Sequence, residues 1–203
     1  FQFIDAIDGS QDDFDCSNGS VNWSDPYHNT YLTRGELGCG LSHFKCWKKI
    51  IDENIDFAVI LEDDFIILND NIIDIINYFK NSDSLKKYDM MYLGRKAPNS
   101  ENEKVIENID SLKNSNEPPI FVNPLFSFWT IGYCLRHSGA LKLALDSYNF
   151  NITPADEYIP YRFGVNNDIT LKTLYDSEVQ KNLDKNGPFL ACATKDNIIR
   201  PNP

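Results

Sequence analysis

The sequence has little of the chemistry that marks a disulfide-rich or zinc-binding protein. It contains only five cysteines in 203 residues, and none of them form a CxxC pair. Cysteines so few and so spaced fit neither a disulfide framework nor a zinc knuckle. No apolar run reaches the roughly 20 residues that a membrane-spanning helix needs. We therefore predict no disulfide scaffold and no membrane span.

Basic residues are also scarce. Lysine and arginine together number 19 against 30 aspartates and glutamates, which gives a formal net charge of -11. A chain this acidic has no general basic surface with which to neutralise a phosphate backbone, so nucleic acid is not an expected partner. An acidic surface is compatible with a basic macromolecular partner such as a lysine-rich protein, although solubility alone explains the charge equally well.

Hydrophobic patterning predicts a single domain of alternating strands and helices. Apolar side chains three and four residues apart indicate a helix at 35–53, and the run Phe57–Leu61 is typical of a central strand covered on both faces. Further strands are predicted at 1–7, 88–93, 126–135 and 189–193, and further helices at 72–79 and 138–145. The alternation predicts an α/β three-layer fold with a mainly parallel sheet.

Three acids, Glu62, Asp63 and Asp64, follow the Phe57–Leu61 strand directly. Adjacent carboxylates repel one another beside a low-dielectric core, so a divalent cation with oxygen ligands would relieve them. Alternation along an extended segment favours Glu62 and Asp64 as the metal ligands. The alternative is that these acids only cap the next turn.

Asp156 and Glu157 form a second acidic pair, in a segment that begins at Thr153-Pro154 and is predicted to be a loop. A carboxylate there can act as a general base toward an acceptor hydroxyl. The alternative is a pair of solvated loop charges, which are common in a chain this acidic.

Several motifs together resemble glycosyltransferase family 25, and within it the collagen hydroxylysine galactosyltransferases. They are Gly35-Glu36-Leu37-Gly38-Cys39-Gly40-Leu41-Ser42-His43-Phe44, Val59-Ile60-Leu61-Glu62-Asp63-Asp64, Tyr92-Leu93-Gly94-Arg95-Lys96, Phe128-Trp129-Thr130-Ile131-Gly132-Tyr133 and Pro154-Ala155-Asp156-Glu157-Tyr158-Ile159-Pro160. The resemblance implies a GT-A fold over 1–203 that lacks the usual first nucleotide-binding strand before Phe1. It also places the acidic triplet at the position of the family's metal motif.

The resemblance also assigns residues to a donor site and an acceptor site. Structural roles are the alternative for Ser42, His43 and Trp129, as a buried hydroxyl, a buried imidazole and a core indole. The residues expected near UDP are Ala6, Asp8, Ser42 and His43, and those expected on the sugar or acceptor side are Arg95, Trp129, Asp156 and Glu157.

The implied reaction is transfer of galactose or glucose from a UDP-sugar to a hydroxyl with Mn²⁺ as the cofactor and inversion at the anomeric carbon. The preferred acceptor is hydroxylysine or galactosylhydroxylysine of a collagen-like protein, which would imply the endoplasmic-reticulum lumen. A saccharide acceptor of the lipooligosaccharide type and a non-catalytic binding domain are the alternatives.

Overall fold

The computed structural model describes residues 2–11, 32–109 and 119–203, and it groups into two compact units. The first unit comprises 1–54 and 140–188, and the second comprises 55–139 and 189–203. Among the described residues, no helix combines the length and apolar content needed to cross a bilayer.

The helices are α1 (Arg34–Asp52), α2 (Ile72–Asn81), α3 (His137–Leu143), α4 (Asp146–Phe150), α5 (Ala155–Arg162) and α6 (Ile169–Asn186). The strands are β1 (Phe57–Leu61), β2 (Phe65–Ile67), β3 (Met90–Lys96), β4 (Lys104–Asn108), β5 (Ile120–Asn123), β6 (Phe128–Arg136), β7 (Ala191–Thr194) and β8 (Ile199–Pro201).

Helix α1 begins with a capping box, which explains its sharp start. The Thr33 hydroxyl accepts a hydrogen bond from the Glu36 backbone N–H, and the Glu36 carboxylate accepts one from the Thr33 backbone N–H. Two otherwise unsatisfied donors of the first turn are thereby satisfied. The predicted helix at 35–53 is confirmed, and it buries Leu37, Trp47 and Ile50.

Aromatic side chains form the core of the first unit. Tyr158 lies 4.3 Å from Tyr148 and 5.0 Å from Tyr175, measured between ring centroids, and stacks on Trp47 at 6.0 Å. The Tyr148 hydroxyl donates to the Thr153 carbonyl at 2.7 Å. Burial raises the pKa of Tyr158, so its hydroxyl stays protonated as a donor. These phenols fix the connection that leads into α5.

The second unit contains a six-stranded sheet in the order β1-β6-β3-β7-β5-β4. Only β3 and β7 pair in parallel, whereas the other four pairings are antiparallel. The α/β class is confirmed, and the prediction of a mainly parallel sheet is wrong. The reason is that β6 lies between β1 and β3 and runs opposite to both, which the order of elements along the chain does not reveal. The GT-A assignment stays a prediction.

Strand β1 lies at an edge of this sheet, so its predicted central position is also wrong. Val59 is 38% exposed on that strand, and the other four residues are only half-buried. An uninterrupted apolar run does not distinguish a central strand from an edge strand.

Two glycines leave space for β8 on the sheet. Gly94 and Gly132 face each other across β3 and β6. A Cβ on Gly94 would lie 2.4 Å from the Ile199 carbonyl oxygen, and a Cβ on Gly132 would lie 2.4 Å from Ile199 Cδ1. The strand predicted at 88–93 continues through Gly94 to Lys96. The function of Gly94 is close packing against β8.

Other sequence predictions have mixed outcomes. The helix at 72–79 and the strands at 88–93, 126–135 and 189–193 are confirmed, with shifted ends. Residues 2–7 form no strand. Ser138, the first residue of the predicted helix at 138–145, lies inside α3 and donates to the Asp89 carboxylate. The predicted loop at Thr153 is wrong in its second half, because Asp156 and Glu157 lie in the first turn of α5.

Candidate functional site

Part of the candidate site lies in the first unit, where the N-terminal segment rests on α1. The Ser42 hydroxyl accepts a hydrogen bond from the Ile7 N–H at 2.8 Å and donates to the Gly38 carbonyl at 2.7 Å. Lys45 Nζ donates to the Asp5 carbonyl at 2.9 Å. A Cβ on Gly38 would lie 2.5 Å from the Ile7 carbonyl oxygen, so only glycine allows this approach.

Ser42 therefore positions the segment that carries Ala6 and Asp8. Both of those residues are exposed. Because the Ser42 hydroxyl already has one acceptor and one donor partner within the protein, its contact with a nucleotide stays a prediction.

Asp8 is held as a carboxylate by its own turn. The Ser10 N–H lies 2.8 Å from Asp8 Oδ1, and Gln11 Nε2 lies 2.6 Å from Oδ2. Hydrogen bonds from the Ser10 side chain, then from Gln11 and the Ser10 backbone, lower the pKa of Asp8 to about 2. A carboxylate that stays ionised can accept hydrogen bonds from ribose hydroxyls or a base N–H, which suits the predicted position near UDP.

His43 is buried on α1 and lies 6.4 Å from the Trp47 ring, centroid to centroid. Burial beside an indole is what the structural alternative for His43, a buried imidazole, predicts. Its role beside a nucleotide stays a prediction.

The acidic pair of α5 differs in exposure between its two members. Asp156 is half-buried, whereas Glu157 is buried, and Asn166 Nδ2 donates to Glu157 Oε2 at 2.7 Å. Acids in the first turn of a helix interact favourably with its dipole, so part of their role is structural. Their position in a helix nevertheless gives a more defined geometry than the expected loop would.

The acidic triplet lies in the second unit at the end of β1. The Thr130 hydroxyl donates to Glu62 Oε1 at 2.8 Å, and the Glu62 N–H donates to the Ile131 carbonyl at 2.9 Å. Asp63 and Asp64 form the turn between β1 and β2 and are exposed. The premise that Glu62 and Asp64 share one side of an extended segment is therefore wrong, because the chain turns after Glu62.

The triplet suits a hard divalent cation by its donor chemistry. No described residue forms an ion pair or hydrogen bond with the side chain of Asp63 or Asp64. Adjacent carboxylates without a cationic partner are oxygen ligands of the kind that Mg²⁺ and Mn²⁺ bind. Glu62 and Asp64 as metal ligands stay a prediction, and Asp63 is equally exposed.

Arg95, expected on the sugar side, forms a buried ion pair instead of facing solvent. Its Nη1 and Nη2 lie 2.5 Å from the two carboxylate oxygens of Glu103, and the two side chains are 2% and 0% exposed. Ser127 Oγ accepts from Nη1 at 3.0 Å. Asn197 pairs with the Arg95 backbone N–H and carbonyl. Contact between Arg95 and a sugar stays a prediction.

Trp129 is a strained residue of the second unit. It adopts a φ of 71° within β6 and is 39% exposed. Bulky residues rarely occupy positive φ, and such strain persists where the surrounding structure enforces it, often at ligand-binding sites. The next residue, Thr130, holds Glu62. Backbone strain and the fixed carboxylate thus occur side by side, which supports a binding role for Trp129.

Sequence reasoning did not identify four residues that hold the predicted ones. Thr130 lies inside a quoted motif and the others in none, but no sequence pattern pairs any of the four with its partner, so tertiary structure is needed to reveal these contacts. They are Thr130 for Glu62, Glu103 and Asn197 for Arg95, and Asn166 for Glu157.

The predicted residues fall into two groups, one in each unit. The first unit holds Ala6, Asp8, Ser42, His43, Asp156 and Glu157, and the second holds Glu62, Asp64, Arg95 and Trp129.

Comparison with known proteins identifies the family. The model of glycosyltransferase family 25, described as an LPS biosynthesis protein, matches residues 1–159. The chain belongs to glycosyltransferase family 25. It is 34% identical over 144 residues to a glycosyltransferase 25 family member of Drosophila melanogaster, an alignment that covers 70% of the chain and 22% of the relative.

Two vertebrate relatives differ in their stated activity. The chain is 30% identical over 157 residues to human procollagen galactosyltransferase 2, covering 76% of the chain and 24% of the relative. It is 30% identical over 174 residues to the inactive glycosyltransferase 25 family member 3 of Mus musculus, covering 80% of the chain and 27% of the relative. The chain thus spans about a quarter of the length of these relatives.

Proposed function

We propose that the protein transfers a hexose, galactose or glucose, from a UDP-sugar to a hydroxyl acceptor in a metal-dependent reaction on a GT-A fold. The observation that carries this proposal is the acidic turn after β1. Its first carboxylate is held by Thr130, and its two aspartates lack a cationic partner among the described residues. Family membership supports the reaction class.

Glu62 and Asp64 are the residues that would hold Mn²⁺. The bound ion would neutralise the diphosphate of the donor and the charge that develops on the leaving group. These carboxylates would contribute oxygen ligands, and the hydrogen bond from the Thr130 hydroxyl fixes the orientation of the Glu62 side chain.

Bond making requires a base for the acceptor hydroxyl. The acceptor oxygen forms a bond to the anomeric carbon, while the bond from that carbon to the diphosphate oxygen breaks and its electron pair leaves with UDP. The acceptor proton passes to a carboxylate, Asp156 or Glu157. A single displacement of this kind inverts the anomeric configuration.

Donor recognition in the proposal involves the remaining predicted residues. The ionised Asp8 accepts hydrogen bonds from the nucleoside, and the exposed indole of Trp129 offers an apolar face to a sugar. Ala6, Ser42, His43 and Arg95 complete the proposed donor and sugar contacts, with Ser42 and Arg95 acting in part by shaping the backbone.

Hydroxylysine of a collagen-like protein is the acceptor that we propose. The similarity to procollagen galactosyltransferase 2 supports it, and a net charge of -11 suits a lysine-rich chain. A saccharide acceptor is the alternative, since the family's description names LPS biosynthesis.

A non-catalytic binding role is a second candidate. It is favoured by the similarity to a relative that is named inactive and by the engagement of Arg95 with Glu103. In that case UDP-sugar would bind without release of UDP.

The test is UDP release from UDP-galactose and from UDP-glucose, with and without Mn²⁺ and a hydroxylysine-containing collagen peptide. Asp64→Ala is the test variant, and Asp70→Ala, which removes another exposed acid of the same unit, is its control. Peptide-stimulated, Mn²⁺-dependent release that is lost only in Asp64→Ala supports the transferase. Absence of release in the native chain, with UDP-sugar still bound, favours the non-catalytic role. Product NMR tests inversion.

A further inference from the structure

The guanidinium of Arg162 is enclosed in the first unit, but the protein uses only one of its three nitrogens. Arg162 is the last residue of α5 and is 9% exposed. Its Nη1 donates to the Lys142 carbonyl and, at 3.0 Å, to the Tyr158 hydroxyl. Lys142 lies in the last turn of α3, where a cation interacts favourably with the helix dipole. This structural role accounts for Nη1 alone.

The opposite edge of the same guanidinium, formed by Nε and Nη2, has no acceptor among the described residues. Nε is buried and donates no hydrogen bond. Nη2 donates to no described residue, and none of them forms an ion pair with Arg162. A guanidinium is always charged, and a buried charge without a counter-charge is costly. The Nε–Nη2 edge therefore requires an explanation that the fold does not supply.

Two other arginines show how this protein satisfies a guanidinium internally. Arg95 faces both carboxylate oxygens of Glu103 with its Nη1 and Nη2. Arg136 has no carboxylate, but each of its three nitrogens donates to a backbone carbonyl. Arg162 has neither a carboxylate nor a full set of carbonyls, so it differs from both.

The acids of the adjacent helix are engaged elsewhere. Helix α6 packs against α5. The Asp176 carboxylate accepts a hydrogen bond from the Tyr161 hydroxyl at 2.6 Å. The Glu178 carboxylate accepts from two backbone N–H groups at the start of α4, at 3.0 and 2.7 Å. Neither carboxylate pairs with Arg162, although both helices are in contact.

We propose that the Nε–Nη2 edge of Arg162 binds a carboxylate group supplied by another molecule, either a small carboxylic acid or an acidic side chain of a peptide. The two parallel N–H groups of this edge match the two oxygens of a carboxylate. One carboxylate neutralises one guanidinium, whereas a phosphate carries close to two charges. The low exposure of Arg162 restricts the ligand to a small group. Binding at Arg162 is independent of sugar transfer.

The first experiment observes the arginine Nε–H groups by proton–nitrogen NMR during a titration with sodium acetate at neutral pH. Sodium chloride at the same ionic strength is the reference. The Arg162 Nε proton should move downfield with acetate only, because a charge-assisted hydrogen bond to a carboxylate is short and strong. The Nε–H of Arg136 already donates to the Tyr88 carbonyl at 3.0 Å, so its signal should stay in place.

A second titration distinguishes the two sources of the carboxylate. It uses a short peptide with blocked ends and a single glutamate. A shift with acetate assigns the site to small carboxylic acids, and a shift with the peptide alone assigns it to an acidic side chain. A signal that moves with neither ligand more than with chloride would overturn the proposal, since water would then satisfy this edge.

The variant Arg162→Lys tests the fork independently of the charge. Lysine keeps the positive charge but lacks the paired N–H groups, so affinity for the carboxylate should fall about tenfold or more. Affinity is measured from the rise of the unfolding temperature with ligand concentration. Arg200→Lys, at an exposed arginine, should respond like the native chain. An equal response of Arg162→Lys would overturn the proposal. If that variant does not fold, the NMR titrations of the native chain still decide.

Discussion

Replacing Glu103 by glutamine should destabilise the protein strongly, because it removes the counter-charge of a buried guanidinium. Arg95 and Glu103 are almost fully inaccessible, with two oxygen–nitrogen distances of 2.5 Å. Removal of one partner of a buried pair costs about 3–5 kcal/mol, since the other charge remains desolvated. Glutamine keeps the shape of the side chain and an acceptor for the Leu125 N–H, so the loss comes from the missing charge and from the amide NH2 that replaces the acceptor of Arg95 Nη2.

The expected change is large enough to measure by urea unfolding. With a slope of about 2 kcal/mol per molar urea, the midpoint should fall by about 1.5–2.5 M. The control is Asp83→Asn, which breaks the exposed pair with Lys86 and should leave the midpoint where it is. Circular dichroism and tryptophan fluorescence should give the same midpoint for each variant.

A small midpoint change for Glu103→Gln, comparable to that of Asp83→Asn, would refute this reasoning. It would mean that water or another acceptor reaches the Arg95 guanidinium. The double replacement Arg95→Met with Glu103→Leu provides an independent check. Because removal of both charges leaves no desolvated ion, it should be more stable than Glu103→Gln alone.

Three further predictions concern the candidate site. In urea unfolding, Trp129→Gly should be more stable than Trp129→Ala by about 0.5–1 kcal/mol. Both variants lose the indole, but only glycine adopts the positive φ without strain. Equal stability of the two variants would contradict backbone strain at this position. Thr130→Val should weaken Mn²⁺ binding about 10–100-fold by calorimetry, because it removes the hydrogen bond that orients Glu62, whereas Thr194→Val, another buried threonine of the sheet, should not. Asp8 should titrate near pH 2 in carboxyl-detected NMR, and Ser10→Ala should raise the pKa of Asp8 toward 3.8. Because the pKa of Asp8 is lower in the folded state, the contribution of its carboxylate to folding stability is complete above pH 3.8 and is lost as the pH falls toward 2.

Helix α1 was more predictable than the order of the strands in the sheet, for a physical reason. The apolar spacing of α1 and its Thr33–Glu36 capping box are local, so the sequence indicates both its extent and its start. Strand order depends on pairings between distant segments. Cys134 on β6 pairs with Met91 on β3, and β6 separates β3 from β1 although it follows both in the chain. No local pattern indicates that a later strand inserts between two earlier ones.

The acidic groups of the site were predictable, but the residues that orient them were not. Glu62, Asp63 and Asp64 stand out because charge follows an apolar strand abruptly. Thr130 is 68 positions from Glu62, and the motif that contains it does not indicate that its hydroxyl pairs with that carboxylate. Asn166 lies nine positions from Glu157, yet the turn at Gly164 that joins them was not recognised.

Hydrogen-bond partners within the protein distinguish predicted residues that support structure from those that can bind a ligand. In a folded protein polar groups are satisfied, so a side chain with complete internal partners has less capacity left for a ligand. Ser42 and Arg95 both form several internal hydrogen bonds, and both hold neighbouring structure in place. The side chains of Asp63 and Asp64, by contrast, are exposed and form no hydrogen bond or ion pair with any described residue. Ligand contact is therefore better supported for the acidic turn than for Ser42 or Arg95, whose substitution should lower stability at least as much as donor affinity.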